Sequence, residues 1–321
     1  MPQPSISDVH VNRPLTNLSV AFMQRADAFL AATVFPRVPV DKRSNLYFTY
    51  DRTFWFRSDA QRRAPGTESA GGAYGITTAS YSADRWAFHK DIDDPTRENA
   101  DEALNLDREA TEYVAAQLML RQEIDWAAKY FKTGVWTGAP TVATKWDDAA
   151  STPIEDINGQ SRAIESITGY YPNSLVLGRK TFDNLRQHPD LIDRIKYSAG
   201  PGNPAIVNEQ TMAQLFGVER VMVAKAVQNT AAEGVPGSYS YVVDQKSALL
   251  VYTAGSPGLM TPTAGYTFTW SGAPGANNGF GVRIKRFRME WRESDRVEGE
   301  FWYDQKVVAA DLGSFFNGVV S

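Results

Sequence analysis

Apolar residues recur at alternating steps of three and four across residues 105–133: Leu106, Ala110, Tyr113, Leu120, Ile124, Ala127, Ala128 and Phe131. That spacing stacks them on one side of an α-helix, with Gln117 as the one polar member of the stripe. Neither Gly nor Pro interrupts the run; Asn105 stands where an N-cap belongs and Gly134 where a helix stops. Arg108 and Glu112, Arg121 and Asp125, and Asp125 and Lys129 set opposite charges one turn apart on the outer face. Met119, Trp126 and Tyr130 fall roughly opposite the stripe, so two faces are apolar. Such a helix is either sandwiched by its own chain or left partly for neighbouring copies to cover, and the pattern alone keeps both open.

The pattern on either side is weaker in helix and richer in strand. Residues 1–45 are punctuated by proline and hold one short helical piece over 17–32; Pro36 and Pro39 then predict an extended segment that cannot pair in a sheet. This segment has too little apolar surface for a core and reads as an arm laid over something else. Two β-rich runs, 46–57 and 81–92, flank a Gly- and Ser-rich stretch carrying Arg62 and Arg63, which predicts a long hairpin with a solvated tip. Phe54, Trp55, Trp86 and Phe88 on its shanks need a surface to pack against, because an isolated two-stranded ribbon is marginal. Asp94 caps a short helix opening at Pro95, and a third helix covers 154–168. From 170 to 260, short helices alternate with apolar strands, as in a mixed sheet covered by helices. Residues 282–297 alternate strongly, and a further strand follows, so two long strands return to pair beside the central helix.

Composition narrows the class. The 321 residues are 43% hydrophobic and 22% charged, which is globular, and no run of eighteen apolar residues occurs. The first residues lack a basic-then-apolar leader, so synthesis in the cytosol is expected. With zero cysteines, disulfides, thiol catalysis and sulfur-ligated zinc are excluded. A net charge of −4 argues against a protein that neutralises many phosphates. An aromatic content of 12% suits extensive packed contact surface.

The order of these parts resembles that of the major capsid proteins of tailed bacteriophages, which share the Hong Kong ninety-seven type shell fold. The residues that carry the likeness are SRAIESITGYYPNSLVLGRKTFDNLRQHPDLIDRI (161–195), similar to the family's helix, strand and helix leading into its axial domain, and QLFGVERVMVAKAV (214–227), similar to its next turn and strand. The resemblance covers the whole chain by order of elements and carries no catalytic signature. It implies an α+β fold divided into an N-terminal arm (1–45), an extended loop (46–92), a peripheral domain (93–153 and 276–321, with spine helix 105–133) and an axial domain (154–275). It implies self-assembly into pentamers and hexamers around double-stranded DNA contacted non-specifically, with scaffolding, portal and decoration proteins as partners and no membrane. Trp55, Arg57, Arg62, Arg63 and Trp86 are the expected contacts with neighbouring subunits. Some relatives crosslink subunits through a loop lysine; no lysine stands between Lys42 and Lys90, and a guanidinium is a poor nucleophile, so no such crosslink is expected. The arm begins near Met1 without a preceding helical segment, so scaffolding is expected from a separate protein.

Competing chemistry is sparse, and no enzyme activity, cofactor or metal is expected. His10, His89 and His188 are far apart in sequence. Asp91, Asp93 and Asp94 have oxygens suited to a divalent cation, but their place before Pro95 favours capping. The glycines of 272–281 do not link a strand to a helix as a phosphate cradle requires. Arg283, Lys285, Arg286 and Arg288 form the densest basic cluster, and the acidic residues that follow predict cross-strand pairing over nucleic-acid contact. Two other readings stand beside the viral shell: a cellular nanocompartment shell enclosing an enzyme, and a monomeric hydrolase or carbohydrate-binding protein.

Overall fold

The computed structural model describes residues 24–100, 105–199, 207–258, 261–273 and 282–321, the side chains of 196–199 excepted. A single 3-10 turn (Ala26–Ala28), helix α1 (Ala31–Val34) and strand β1 (Arg37–Val40) form a strap. A ribbon follows, β2 (Ser44–Tyr50) and β3 (Ile76–Ser82), with a one-turn helix α2 (Arg52–Trp55) after β2. Strand β4 (Asp84–Asp93) leads through α3 (Asp94–Glu98) to the long helix α4 (Leu106–Tyr130). Next come α5 (Pro153–Thr168), β5 (Ser174–Leu177), α6 (Arg179–Gln187), α7 (Pro189–Ala199), α8 (Glu209–Phe216) and β6 (Arg220–Val223). Strands β7 (Val227–Asn229), β8 (Tyr239–Tyr241), β9 (Ala248–Val251) and β10 (Gly265–Trp270) are followed by β11 (Val282–Met289), β12 (Ser294–Val307) and β13 (Gly313–Phe316).

Strand β12 is the axis of the larger sheet. It pairs antiparallel with β4 along one edge, and with β11 and then β10 along the other, while β1 adds parallel to β10. Helix α4 lies on one face, at about 1.5 Å of rise per residue some 37 Å long. Gly299 permits the close fit: a Cβ there would lie 2.5 Å from Val114 Cγ1 and 3.0 Å from Leu118 Cδ1. Val114 and Leu118 pack on Phe301 and Tyr303, as two returning strands beside a central helix predict.

The smaller sheet runs β13-β9-β5-β6, and helices and the end of α4 bury both of its faces. Leu175 and Leu177 enter a core with Trp146, Ile154, Met212 and Phe216, while Val176, between them, enters one with Phe35, Trp126 and Phe315. A strand buried on both faces reads as an unbroken apolar run, as Leu175, Val176 and Leu177 do after Ser174.

Several expectations needed correction. Asn105 does cap α4, its Oδ1 accepting from Arg108 N at 3.0 Å, but the helix ends at Tyr130 and Gly134 sits in the following turn with φ +81°. The buried stripe is rotated: Ala110, Val114, Leu118, Gln122, Asp125 and Trp126 face inward, whereas Leu120 and Ile124 are half-buried and Ala128 is exposed. Polar residues with dedicated partners own part of the inward face. The extended 46–57 run stops at Tyr50, because Asp51 caps α2 by accepting from Thr53 N at 2.9 Å. Strand β2 pairs with β3, and β4, with Trp86 and Phe88, belongs to the larger sheet. Pro39 lies within paired β1, tolerated because that strand is at the sheet edge. Asp93, rather than Asp94, caps α3. The 282–297 run reverses at Glu290–Arg292, with Glu293 at φ +47°. Of the expected 17–32 helix only α1 and the 3-10 turn fall in described residues; 17–23 lie outside, as do His10 and most of 272–281.

Candidate assembly surface and the sheet that carries it

Alternation along the ribbon divides its side chains between two destinies. On one face, Tyr47 and Tyr81 close on Phe268 of β10, with ring centroids 5.1 and 4.7 Å apart. Tyr81 OH also donates to Lys42 O at 3.2 Å, and Ser82 N donates to Asp304 at 2.9 Å. These contacts anchor the ribbon's base. The opposite face carries Leu46, Phe48 and Tyr50, with Ile76 directly across from Tyr50. Leu46 is 57%, Phe48 60% and Ile76 48% exposed. Beyond this stripe Tyr50, Trp55 and Tyr74 gather in a small aromatic knob, with centroids 5.5–6.3 Å apart, that is itself in solvent. Three exposed apolar side chains in register, extended by a preformed knob, mark a contact surface.

The face of the larger sheet remote from α4 is ionic. Glu300 is fully buried at its centre, with Arg85, Arg283 and Lys285 all paired to it. Arg283 Nε lies 2.8 Å and Lys285 Nζ 2.9 Å from its oxygens. Burial alone would raise this carboxyl; the hydrogen bonds from Lys285, Arg85 and Arg283 outweigh it and hold it at about 2. Along one edge Arg286 joins Asp107 to Asp295, and Arg288 grips Asp94 at 2.5 and 2.6 Å. The basic cluster is thus spent on cross-strand and helix-sheet pairing, as its acidic neighbours predict. Asp91 is held by Arg296 at 2.7 Å and Arg292 at 3.2 Å, so the three aspartates each have a protein partner. No cluster of metal-ligating residues occurs among the described residues.

Comparison with known proteins places this arrangement. Residues 136–279 match the family described as phage major capsid protein E. The major capsid protein of Pseudomonas phage JBD67 is 23% identical over 315 residues, covering 97% of both chains. That of Burkholderia phage BcepMu is 24% identical over 221 residues, 68% of this chain and 69% of its own. The chain resembles phage major capsid proteins along its whole length. Its fold is the Hong Kong ninety-seven type: the capsid of cyanophage P-SCSP1u superposes with a TM-score of 0.57 at 12% identity, over 97% of this chain and 93% of that one. A phage-related protein of Bordetella bronchiseptica RB50 superposes at 0.70 and 19% identity, over 92% and 93%. The fold alone is shared more widely, since an encapsulin of Synechococcus elongatus PCC 7942 superposes at 0.52 and 10% identity, over 100% and 98%.

Within this fold the sequence-predicted contact residues separate. Trp55 is in the exposed knob, and Arg57, paired with Asp59 at 2.8 Å, follows it. Arg62 and Arg63 are exposed at the tip, Arg63 donating to Thr67 O. Trp86 is elsewhere: half-buried in β4, stacked on Tyr303 at 6.2 Å, with the Arg121 guanidinium 4.5 Å over its ring. The stripe Leu46, Phe48 and Ile76 was missed, although the period-two spacing of Leu46 and Phe48 was readable within the 46–57 run. Glu123 was also missed. It is buried in α4 and accepts from Leu30 N at 2.9 Å and Ala31 N at 2.8 Å, clasping the strap at the start of α1. Burial pushes its carboxyl up to about 7 against the lowering effect of those two bonds.

The pair a hydrolase reading would single out is a staple. Ser151 Oγ lies 3.0 Å from His188 Nε2, but both are buried. His188 Nδ1 accepts from Asp190 N, so Nε2 carries the proton and donates to Asp148 O at 3.1 Å. A ring so protonated is no base toward the serine. It ties the α6–α7 break to the 148–151 turn.

Proposed function

We propose that this protein is the shell subunit of an icosahedral phage head, assembling with itself into pentamers and hexamers that enclose double-stranded DNA. The observation that carries the reading is the outward stripe of Leu46, Phe48 and Ile76, which the subunit's own fold leaves uncovered. Neighbouring copies bury it, and repetition by symmetry turns modest contacts into a closed shell. Residues 1–45 serve as the arm, 46–92 as the extended loop, 93–153 with 276–321 as the peripheral domain and 154–275 as the axial domain around the capsomer axis. Trp55, Arg57, Arg62 and Arg63 contact the neighbour at the loop tip, and Trp86 contacts it from the larger sheet. The subunit works mechanically, without catalysis or cofactor. It assembles in the host cytoplasm with scaffolding and portal proteins, meets a decoration protein on the finished head, and touches DNA non-specifically. A net charge of −4 keeps the wall from trapping incoming DNA.

The test is assembly itself. Size-exclusion chromatography and electron microscopy of the purified protein should show megadalton particles, and a Leu46→Ser/Phe48→Ser variant should remain small with unchanged circular dichroism. A wild-type protein that stays a 35.6 kDa monomer at every concentration sinks the proposal. Particles from infected cells that hold an enzyme rather than DNA would turn it toward the nanocompartment, a reading the encapsulin likeness keeps in play.

A further inference from the structure

We infer that the free subunit holds its ribbon tip in an intramolecular latch, Arg52 to Asp311, which opens when neighbouring copies take the ribbon. The inference rests on the ribbon being an assembly surface. Arg52 opens α2 at the ribbon tip, and its Nη1 lies 2.6 Å from Asp311 Oδ2, in the turn between β12 and β13. The receiving carboxylate is set in place by others: Asp311 Oδ1 accepts from Thr137 Oγ1 at 2.7 Å, and Thr137 N donates to Ala310 O at 3.2 Å. Phe56, just past α2, rests beside Gly169 at the C-terminal end of α5, where a Cβ would lie 3.8 Å from its ring. Phe56 nonetheless stays 61% exposed, so the tip leans on the body without being buried in it.

The two ends of the ribbon differ in kind. At the base, stacked rings and the Ser82–Asp304 bond fix it to β10 and β12. At the tip, the pair's side chains are 43% and 36% exposed. An exposed pair of this sort biases an equilibrium by no more than about fivefold, and salt weakens it further. A fixed base with a weakly held tip suits an arm that must stay home in the free subunit and reach outward in the shell. While Arg52 is paired at home, the exposed Tyr50–Trp55–Tyr74 knob stays tethered beside it.

Because the chain has no cysteine, two engineered ones report cleanly. Spin labels on Glu68→Cys and Glu165→Cys should give a narrow distance distribution in the free subunit. It should broaden and lengthen on Asp311→Asn or in 1 M salt, and narrow again with the Arg52→Asp/Asp311→Arg exchange. In assembly monitored by light scattering, Asp311→Asn should shorten the lag by up to about fivefold. An Arg52→Cys/Asp311→Cys subunit bridged by a short bis-maleimide should not assemble, while its unbridged form should. Distances indifferent to Asp311→Asn, or a bridged subunit that assembles at the wild-type rate, overturn the latch. If the wild type never assembles, the shell reading fails, and the label distances still decide the latch.

Discussion

Replacing Gly299 by alanine tests how tightly the long helix is seated on its sheet. Gly299 lies in β12 between Phe88 and Ile284 on the adjacent strands, and the added methyl would lie 2.5 Å from Val114 Cγ1 and 3.0 Å from Leu118 Cδ1. Both neighbours are buried in one cluster with Phe301 and Tyr303, so neither moves freely. Overpacking of this order costs about 1–3 kcal/mol. The sign is the informative part. At an unhindered strand position the same change would gain up to about 1 kcal/mol by removing backbone freedom from the unfolded chain. The assay is urea unfolding followed by tryptophan fluorescence, at a protein concentration below assembly. Val114→Ala alone should cost about 1–3 kcal/mol through the cavity it leaves. Combined with Gly299→Ala it should cost about 1 kcal/mol or more less than the sum, because the new methyl occupies the vacated space. Additive losses, or a Gly299→Ala variant more stable than wild type, would refute the claim that this glycine sets the helix-sheet distance.

Other outcomes follow from the buried charges and caps. Burial raises the carboxyl of Glu123 to about 7 in the folded state, above the ordinary 4.5 of a glutamate. Its stabilising contribution is therefore full below about pH 4.5 and is lost as the pH rises through 7, on the order of 3 kcal/mol in all. Glu123→Gln should flatten that slope of urea stability against pH. Glu300, held at about 2, behaves oppositely: its contribution is present above its unfolded value and disappears as the pH falls through 2. Glu300→Gln at pH 7 should cost about 3 kcal/mol by leaving Arg85, Arg283 and Lys285 facing one another, read as a lower urea midpoint. Asn105→Ala should cost about 1 kcal/mol by exposing Arg108 N at the start of α4, whereas Asn105→Asp should not.

Much of the architecture was legible because it depends on neighbours in sequence. The three-and-four spacing and the cap at Asn105 mark α4, the unbroken apolar run Leu175–Leu177 marks β5, and Pro189 marks the break between α6 and α7. The order of these parts was enough to reveal the family resemblance. Local pattern failed where a distant partner set the outcome. Asp125 read as part of an outer face and Gln122 and Glu123 gave no apolar signal, yet Tyr303, Arg37 and the N–H groups at the start of α1 draw all three inward. Trp86 read as a ribbon shank, yet ten residues of β12 recruit β4 into the larger sheet. The exposed stripe on the ribbon and the latch at its tip were likewise matters of which face Phe268 and Asp311 claim. Periodicity tells each segment what it is and how it alternates; only the tertiary fold decides which alternate face finds cover, because burial and ionic pairing are satisfied across more than two hundred residues of intervening chain.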